Sequence, residues 1–529
     1  MKCVETLLVI ALLSVFIAQA GLSIVHKSFT YDEAAHFRYG EQILDLNSDR
    51  FDDSKMPITA LNAAVYRIAL NIFPDQISSL YRPERVGRLA TIGFSALIGL
   101  LVYFWAREWG ACAGVLALFL YVFEPNILAH SRLITTDVYV MGMVTLSVFL
   151  FWKFLSKPTL GRGALAAIAI GIAQIAKYTA IFLFPMLLFL ALLYFLPGYL
   201  NGSQKRAVHG KISGFLKIAI ISLVFILVSL AIINAGFLLN NTFKQFGDYV
   251  FRSSLFQSIQ SRMDGLSSIP VPVPYPYLEG LDWIVHRERT GDGYGDLYLL
   301  GELREGKGFP GYFLVAMLFK LPIGLLLILV FSLVVYIKSF RWKAFFERDA
   351  FILIPLVFFL VYFNFFFRAQ IGIRFLLPAF PFLIIFCGSL VRDLNTWRPE
   401  MKLMLITFLV SIIISVSSYF PHYLSYFNEI LMDRSRAYEI LADSNLDWGQ
   451  NKNTLSHFLA ENPDFIFEPE EPTAGIIVVG VNRLVGITEN PETYSWLRDC
   501  ELPIGNYAYS YLIFEVSADD LLHLSTCER

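Results

Sequence analysis

The sequence predicts a polytopic α-helical membrane protein with about 11 transmembrane helices, followed by a small α+β extracytoplasmic region. Three observations carry this. Only 16% of the 529 residues are charged and 56% are hydrophobic, with a mean hydropathy of +0.57; soluble domains carry about 25% charged residues. Apolar runs of near-membrane length recur through residues 1–421. The short connections on one side of these runs all hold Lys or Arg, as cytoplasmic loops do. A net charge of -2 argues against nucleic acid as a partner, since phosphate binding needs concentrated positive charge.

The first run is Val4–Ile24. Its Ala18-Gln19-Ala20 resembles a signal-peptidase site, but retained or cleaved, the run leaves the next stretch on the extracytoplasmic side. Further runs are Val86–Trp105, Ala111–Ala129, Ile134–Leu155, Ala164–Ala176, Tyr178–Leu196 and Gly214–Phe237. Gly311–Ile337, Ala350–Phe366, Ile371–Val391 and Leu403–Pro421 follow a long polar segment. Ala164–Ala176 rises only about 20 Å against a hydrocarbon core of about 30 Å. Joined to Tyr178–Leu196 it is too long for one straight span, so two shortened or tilted spans are expected to meet near Lys177. Merging them would also send Lys205, Arg206 and Lys211 outside, against the pattern set by Arg107, Lys153, Lys338 and Arg392. An odd count puts the N-terminus in the cytoplasm and the C-terminus outside. The expected division is a membrane domain, 1–421, with outer loops 25–85 and 238–310, and an outer α+β domain, 422–529. In the tail, Gly475–Val481 and Tyr507–Val516 read as strands and Asn453–Ala460 as a helix. No internal repeat of the transporter kind is visible.

Ser28–Gly40, S-F-T-Y-D-E-A-A-H-F-R-Y-G, opens the first outer segment. Asp32 and Glu33 stand where a span meets water, with His36 and Arg38 about one helical turn on. A solvated helix start capped by Asp32 is the plain structural reading. Other charges gather at the same face: Asp137 at the start of the fourth run, Lys177 between two runs, Lys320 within Leu318–Pro322, and Arg374 just inside its span. Ionisable groups at membrane depth are rare and usually line a cavity or meet a ligand. Acids with cations at one face suit a site that activates a hydroxyl and holds an anionic leaving group.

The five cysteines show no C-x-x-C or Cys/His ligand spacing, so a structural zinc site is not expected. Cys500 and Cys527 both fall in the outer tail and are the natural disulfide pair if that compartment is oxidising.

The Thr30–Gly40 stretch resembles the D-E motif of the GT-C superfamily, in particular bacterial members of the protein O-mannosyltransferase and aminoarabinose transferase group. Leu133–Asp137, Gly171–Lys177, Lys320-Leu321-Pro322, Ile371–Pro381, His422–Glu429 and Asp443–Gln450 are similar in the same order, from about Phe29 to Gln450. The resemblance implies an inverting glycosyltransferase of a bacterial inner membrane, using a polyprenyl-phosphate-sugar donor and a protein, lipid or glycan acceptor, with no cofactor; protein O-mannosylation is one version. It assigns Asp32 as catalytic base, with Glu33 beside it orienting substrate or sharing the role. His36, Asp137, Lys177, Lys320, Arg374, Asn445 and Asp447 become candidate substrate contacts. Lys55-Met56-Pro57 departs from the His-Pro-Pro usual there. A secondary transporter or lipid flippase is the competing class, predicting charges near the bilayer midplane and internal repeats instead.

Overall fold

The computed structural model describes residues 2–523 apart from His26, Tyr81, 201–213, Asp264 and Leu266. The chain is mostly helical, and each of the eleven predicted apolar runs contains helix. Their number as separate spans is not confirmed. Among the described residues seven helices are long and apolar enough to cross a membrane, and two bent pairs raise this to nine.

The differences have local causes. Ala111–Val122 and Pro125–Ser131 meet at 63°, because Pro125 opens a new helix whose first turn is capped by Glu124, accepting from Ile127 N at 2.5 Å. Tyr312–Lys320 and Ile323–Lys338 meet at 115° across Leu321-Pro322. Leu160–Gln174 has 15 residues and Ala350–Phe365 has 16, about 22–24 Å at 1.5 Å per residue. The second continues a π turn at Phe345–Asp349. The predicted meeting of two short helices at Lys177 is seen: Leu160–Gln174 ends just before it, and a 3-10 turn, Tyr178–Phe182, leads into Leu183–Leu200. Lys205, Arg206 and Lys211, used in the charge count, lie outside the described residues.

Asp137–Ser156 packs along Leu160–Gln174, which packs in turn on Gly214–Gly236. Asp137–Ser156 and Ile373–Thr396 are mostly buried, whereas Cys3–Leu22, Ala219–Gly236 and Pro399–Ser417 turn most of their apolar surface outward, as spans facing lipid must. In loop 238–310, strands β1 (Asp296–Leu299) and β2 (Glu302–Glu305) form an antiparallel hairpin not foreseen from sequence. Leu300 and Gly301, both at positive φ, make its two-residue turn.

The tail carries a four-stranded sheet in the order β3-β4-β6-β5, where β3 is Phe465–Phe467, β4 Gly475–Gly480, β5 Gly505–Tyr507 and β6 Tyr511–Val516. β3 and β4 are parallel and the other pairs antiparallel. The predicted Tyr507–Val516 strand is therefore divided, with Ala508 and Tyr509 at positive φ between its parts. The predicted tail helix is Lys452–Glu461.

Two sets of bonds seat this region on the helices. Ser28 N donates to Gln450 O at 2.9 Å, Tyr31 N to Trp448 O at 3.0 Å, and Asn453 N to Ser28 Oγ at 2.9 Å. Lys320 Nζ donates to Leu424 O at 2.9 Å and Asn445 O at 2.7 Å. Asn445 accepts from Ile373 N at 3.0 Å and donates to the Tyr312 hydroxyl at 2.8 Å. Segment 442–450 thereby touches both the loop after the first span and the approach to Arg374.

Candidate active site

Where that segment, the first outer loop and the helix ends meet, a cavity of about 1400 Å³ opens. Asp32, His36, Lys55, Asp137, Lys177, Arg374, Asp443 and Asp447 line its polar part; Phe182, Trp283, Tyr362, Phe366, Phe367 and Phe375 line an apolar flank.

Asp32 precedes helix Glu33–Leu44 without capping it, so its carboxylate is free to face the cavity. Oδ2 accepts from Arg374 Nη1 at 3.1 Å, and Oδ1 lies 3.9 Å from Lys55 Nζ. Burial alone would raise the Asp32 pKa, but Arg374 and Lys55 outweigh it and hold the carboxyl below its ordinary range. His36, one turn along, is buried; desolvation and then Lys55 push its pKa down to about 3, so the ring is neutral near pH 7. Its Nδ1 is buried with no hydrogen-bond partner among the described residues, leaving a polar atom for a ligand to satisfy. Gly40 closes the helix against the Thr59 carbonyl, where a Cβ would collide.

Arg374 sits in the 3-10 turn Ile373–Ala379 with its guanidinium 3.8 Å from the Trp448 ring centroid. Gly372 lets this turn approach Ser444, whose hydroxyl donates to Ile371 O. Across the cavity Lys177 Nζ meets Asp137 Oδ1 at 2.6 Å and lies 4.5 Å over Phe375. Asp443 and Asp447 complete the polar wall from the tail. Burial pushes each up to about 6, against opposing bonds from Ser444 N and Gly449 N respectively.

The cavity brings together Asp32, His36, Asp137, Lys177, Arg374 and Asp447 of the residues singled out from sequence. Three others stand elsewhere. Glu33 is fully buried against Arg88, and both its oxygens are occupied: Oε1 by Arg88 Nε (2.8 Å) and Ile134 N (2.9 Å), Oε2 by Arg88 Nη2 (2.6 Å) and Thr30 N (2.8 Å). Both oxygens are engaged by protein donors, a structural arrangement where the sequence reading gives Glu33 a share of the chemistry. Lys320 and Asn445 are engaged in the bonds that seat the tail, and neither lines the cavity. Lys55, Asp443 and Trp448 are the additions. Lys55 was visible as the departure from His-Pro-Pro, and the other two lie in the Asp443–Gln450 stretch already marked. For the disulfide expectation, Cys527 lies outside the described residues. Among the described residues no three His, Cys, Asp or Glu gather as metal ligands.

Residues 71–244 match the family model described as dolichyl-phosphate-mannose-protein mannosyltransferase. The chain resembles that glycosyltransferase family over this stretch. Asp137 and Lys177 fall inside it; Asp32 and Arg374 do not. No curated protein matches the sequence. Among solved structures the chain is similar to ArnT from Cupriavidus metallidurans bound to undecaprenyl phosphate, at 12% identity and a TM-score of 0.47 over 97% of this chain and 98% of that one. The same protein in the apo state aligns at 13% identity and 0.32, with the same coverage. The bound undecaprenyl phosphate is a property of that protein.

Proposed function

We propose that the protein is an inverting glycosyltransferase that moves a sugar from a polyprenyl-phosphate donor to an acceptor hydroxyl at the extracytoplasmic face of a bacterial inner membrane. The observation that carries this reading is Asp32 set at a cavity between two cations, Arg374 and Lys55, with an apolar flank beside them. The match to a mannosyltransferase family model supports the reaction class, and protein O-mannosylation is the version to test first.

In this reading the acceptor hydroxyl lies within hydrogen-bond reach of Asp32, which takes its proton as the oxygen bonds to the anomeric carbon. The bond from that carbon to the phosphate oxygen breaks on the opposite side, and its electron pair leaves with the phosphate. Arg374, Lys55 and Lys177 supply the positive charge that the departing phosphate needs. The aromatic flank receives the first isoprene units, and His36 Nδ1 meets a sugar or acceptor hydroxyl.

The test is turnover of a radiolabelled polyprenyl-phosphate sugar by the purified chain, with mass spectrometry of the acceptor. Asp32→Asn should abolish turnover while donor binding persists. Wild-type turnover by that variant removes the base assignment, and no turnover by the native chain with any prenyl donor removes the enzyme reading. Orientation is tested separately: reporters after Gly40, after Leu303 and at the C-terminus should read extracytoplasmic and one after Lys343 cytoplasmic.

A further inference from the structure

A second hollow, of about 530 Å³, opens just beyond the last span and shares no lining residue with the first cavity. His422, five residues past the end of helix Pro399–Ser417, lines it with Arg434, Asn506 and Tyr509. Arg434 is held flat by neutral groups: its guanidinium lies 4.2 Å over the Tyr419 ring, Nη1 donates to the Tyr509 hydroxyl at 3.3 Å, and Nη2 to Ser418 Oγ at 2.7 Å. It forms no ion pair with a carboxylate among the described residues, and three of its five donors remain for a ligand.

Behind the hollow Lys27 Nζ is buried, 2.6 Å from His422 Nδ1 and 2.5 Å from Asn451 Oδ1; burial pushes its pKa down to about 6, so near pH 7 it is mostly neutral and the remaining inner charge is that of Arg132. Buried Arg132 bonds only to the carbonyls of Ser23 and Pro421, at 2.8 and 2.9 Å, and its Nε has no partner. Arg132 forms no ion pair with a carboxylate among the described residues. The acid of the lining is Asp433, whose Oδ1 is turned back by Ser435 N and Oγ at 2.9 and 2.6 Å.

Exposed apolar side chains flank the hollow, alongside the exposed Glu429, Asp433 and Arg436. Phe420 (46% exposed), Ile430 (44%), Ile504 (62%) and Met432 (97%) present uncovered side chains within a few residues of the span end or the hollow itself. Burying such a rim in the interfacial region of a bilayer is favourable. A guanidinium fork at that depth matches phosphate oxygens.

We propose that this hollow binds the phosphate of an anionic lipid headgroup from the adjacent leaflet and thereby docks the tail on the membrane. Its phosphate accepts from Arg434, backed by the charge of Arg132, while its glycerol and acyl chains pass Phe420 and Ile430. The site is independent of the sugar-transfer reading.

The test uses the full chain in nanodiscs of phosphatidylcholine alone or with phosphatidylglycerol, with retained lipid counted by native mass spectrometry and thermal stability read alongside. Phosphatidylglycerol should be retained and should raise the melting temperature. Arg434→Gln should weaken that retention roughly tenfold, the size of a lost charge-assisted contact, and Arg434→Lys should weaken it less. Met432→Trp reports independently, since its fluorescence should be quenched by brominated lipid. Equal phosphatidylglycerol retention by the native chain and Arg434→Gln overturns the site. Equal protection by inorganic phosphate without lipid overturns the lipid assignment, and an unquenched Trp at 432 overturns the docking.

Discussion

Glu33→Gln separates structure from chemistry in the D-E pair. Glu33 and Arg88 have no exposed side-chain surface and are joined at 2.6 Å. The pair links the start of helix Glu33–Leu44 to that of Arg88–Ala106, and Arg88 Nη2 also holds Ser28 O at 2.7 Å. Gln keeps the volume but turns one acceptor oxygen into a donor, where Arg88 and backbone N–H groups already converge. It also leaves the Arg88 charge buried without a counter-charge. Breaking one side of such a pair costs about 3–5 kcal/mol. The expected result is a large loss of stability with near-normal turnover per folded molecule. Thermal inactivation in detergent, followed by tryptophan fluorescence and scored against active-site titration, measures both. Replacing both partners together, Glu33→Leu with Arg88→Met, should recover much of the loss, because no orphan charge remains. A Glu33→Gln protein as stable as wild type but inactive would refute the structural assignment.

Three further outcomes follow from the geometry. Arg374→Lys keeps the charge but loses the fork and much of the Trp448 contact, and should weaken donor binding roughly tenfold in a filter-binding assay; unchanged affinity would refute its role. Lys320→Met should destabilise the seat of the tail while leaving donor affinity per folded molecule intact, because Lys320 serves carbonyls outside the cavity; a selective loss of donor affinity would restore it as a ligand. Asp447, pushed up to about 6 from 3.8, holds more protons folded than unfolded between those values, so its presence lowers stability as pH rises through that window. Asp447→Asn should therefore raise the melting temperature at neutral pH and change it little near pH 4; the reverse order would contradict the burial argument.

The apolar runs were legible because lipid leaves no alternative composition for a spanning segment. What the runs concealed were breaks, since Pro125 and Pro322 sit within continuous hydrophobic stretches and hydropathy is blind to a bend. The charges divided for a related reason. Asp32, Asp137 and Arg374 could be placed at one face from span ends alone. The partners of Glu33 and Lys320 are 55 and more than 100 residues distant, and no local pattern announces them. A lysine inside an apolar run then reads as a ligand group when it is satisfied by two backbone carbonyls. Asp443 and Trp448 escaped individual notice because their cavity positions depend on how segment 442–450 crosses the helix ends.

That crossing sets the electrostatics of the candidate base. Asp32, Lys55, Arg374 and Trp448 come from four separate parts of the chain, and the tail supplies the ring on which the guanidinium rests. A cation over an aromatic face gains about 0.5–2 kcal/mol, enough to keep Arg374 aimed at Asp32 Oδ2 rather than turned toward water. Held this way Asp32 is ionised but a weak base, because the same cations that depress its pKa stabilise its anion. On the proposed reading a donor phosphate competes for Arg374 and Lys55. As it draws them off, the Asp32 carboxylate loses its counter-charges and its affinity for a proton rises. Base strength is then greatest when the donor is in place, so the cavity need not choose between a cation site for phosphate and a proton acceptor for the hydroxyl.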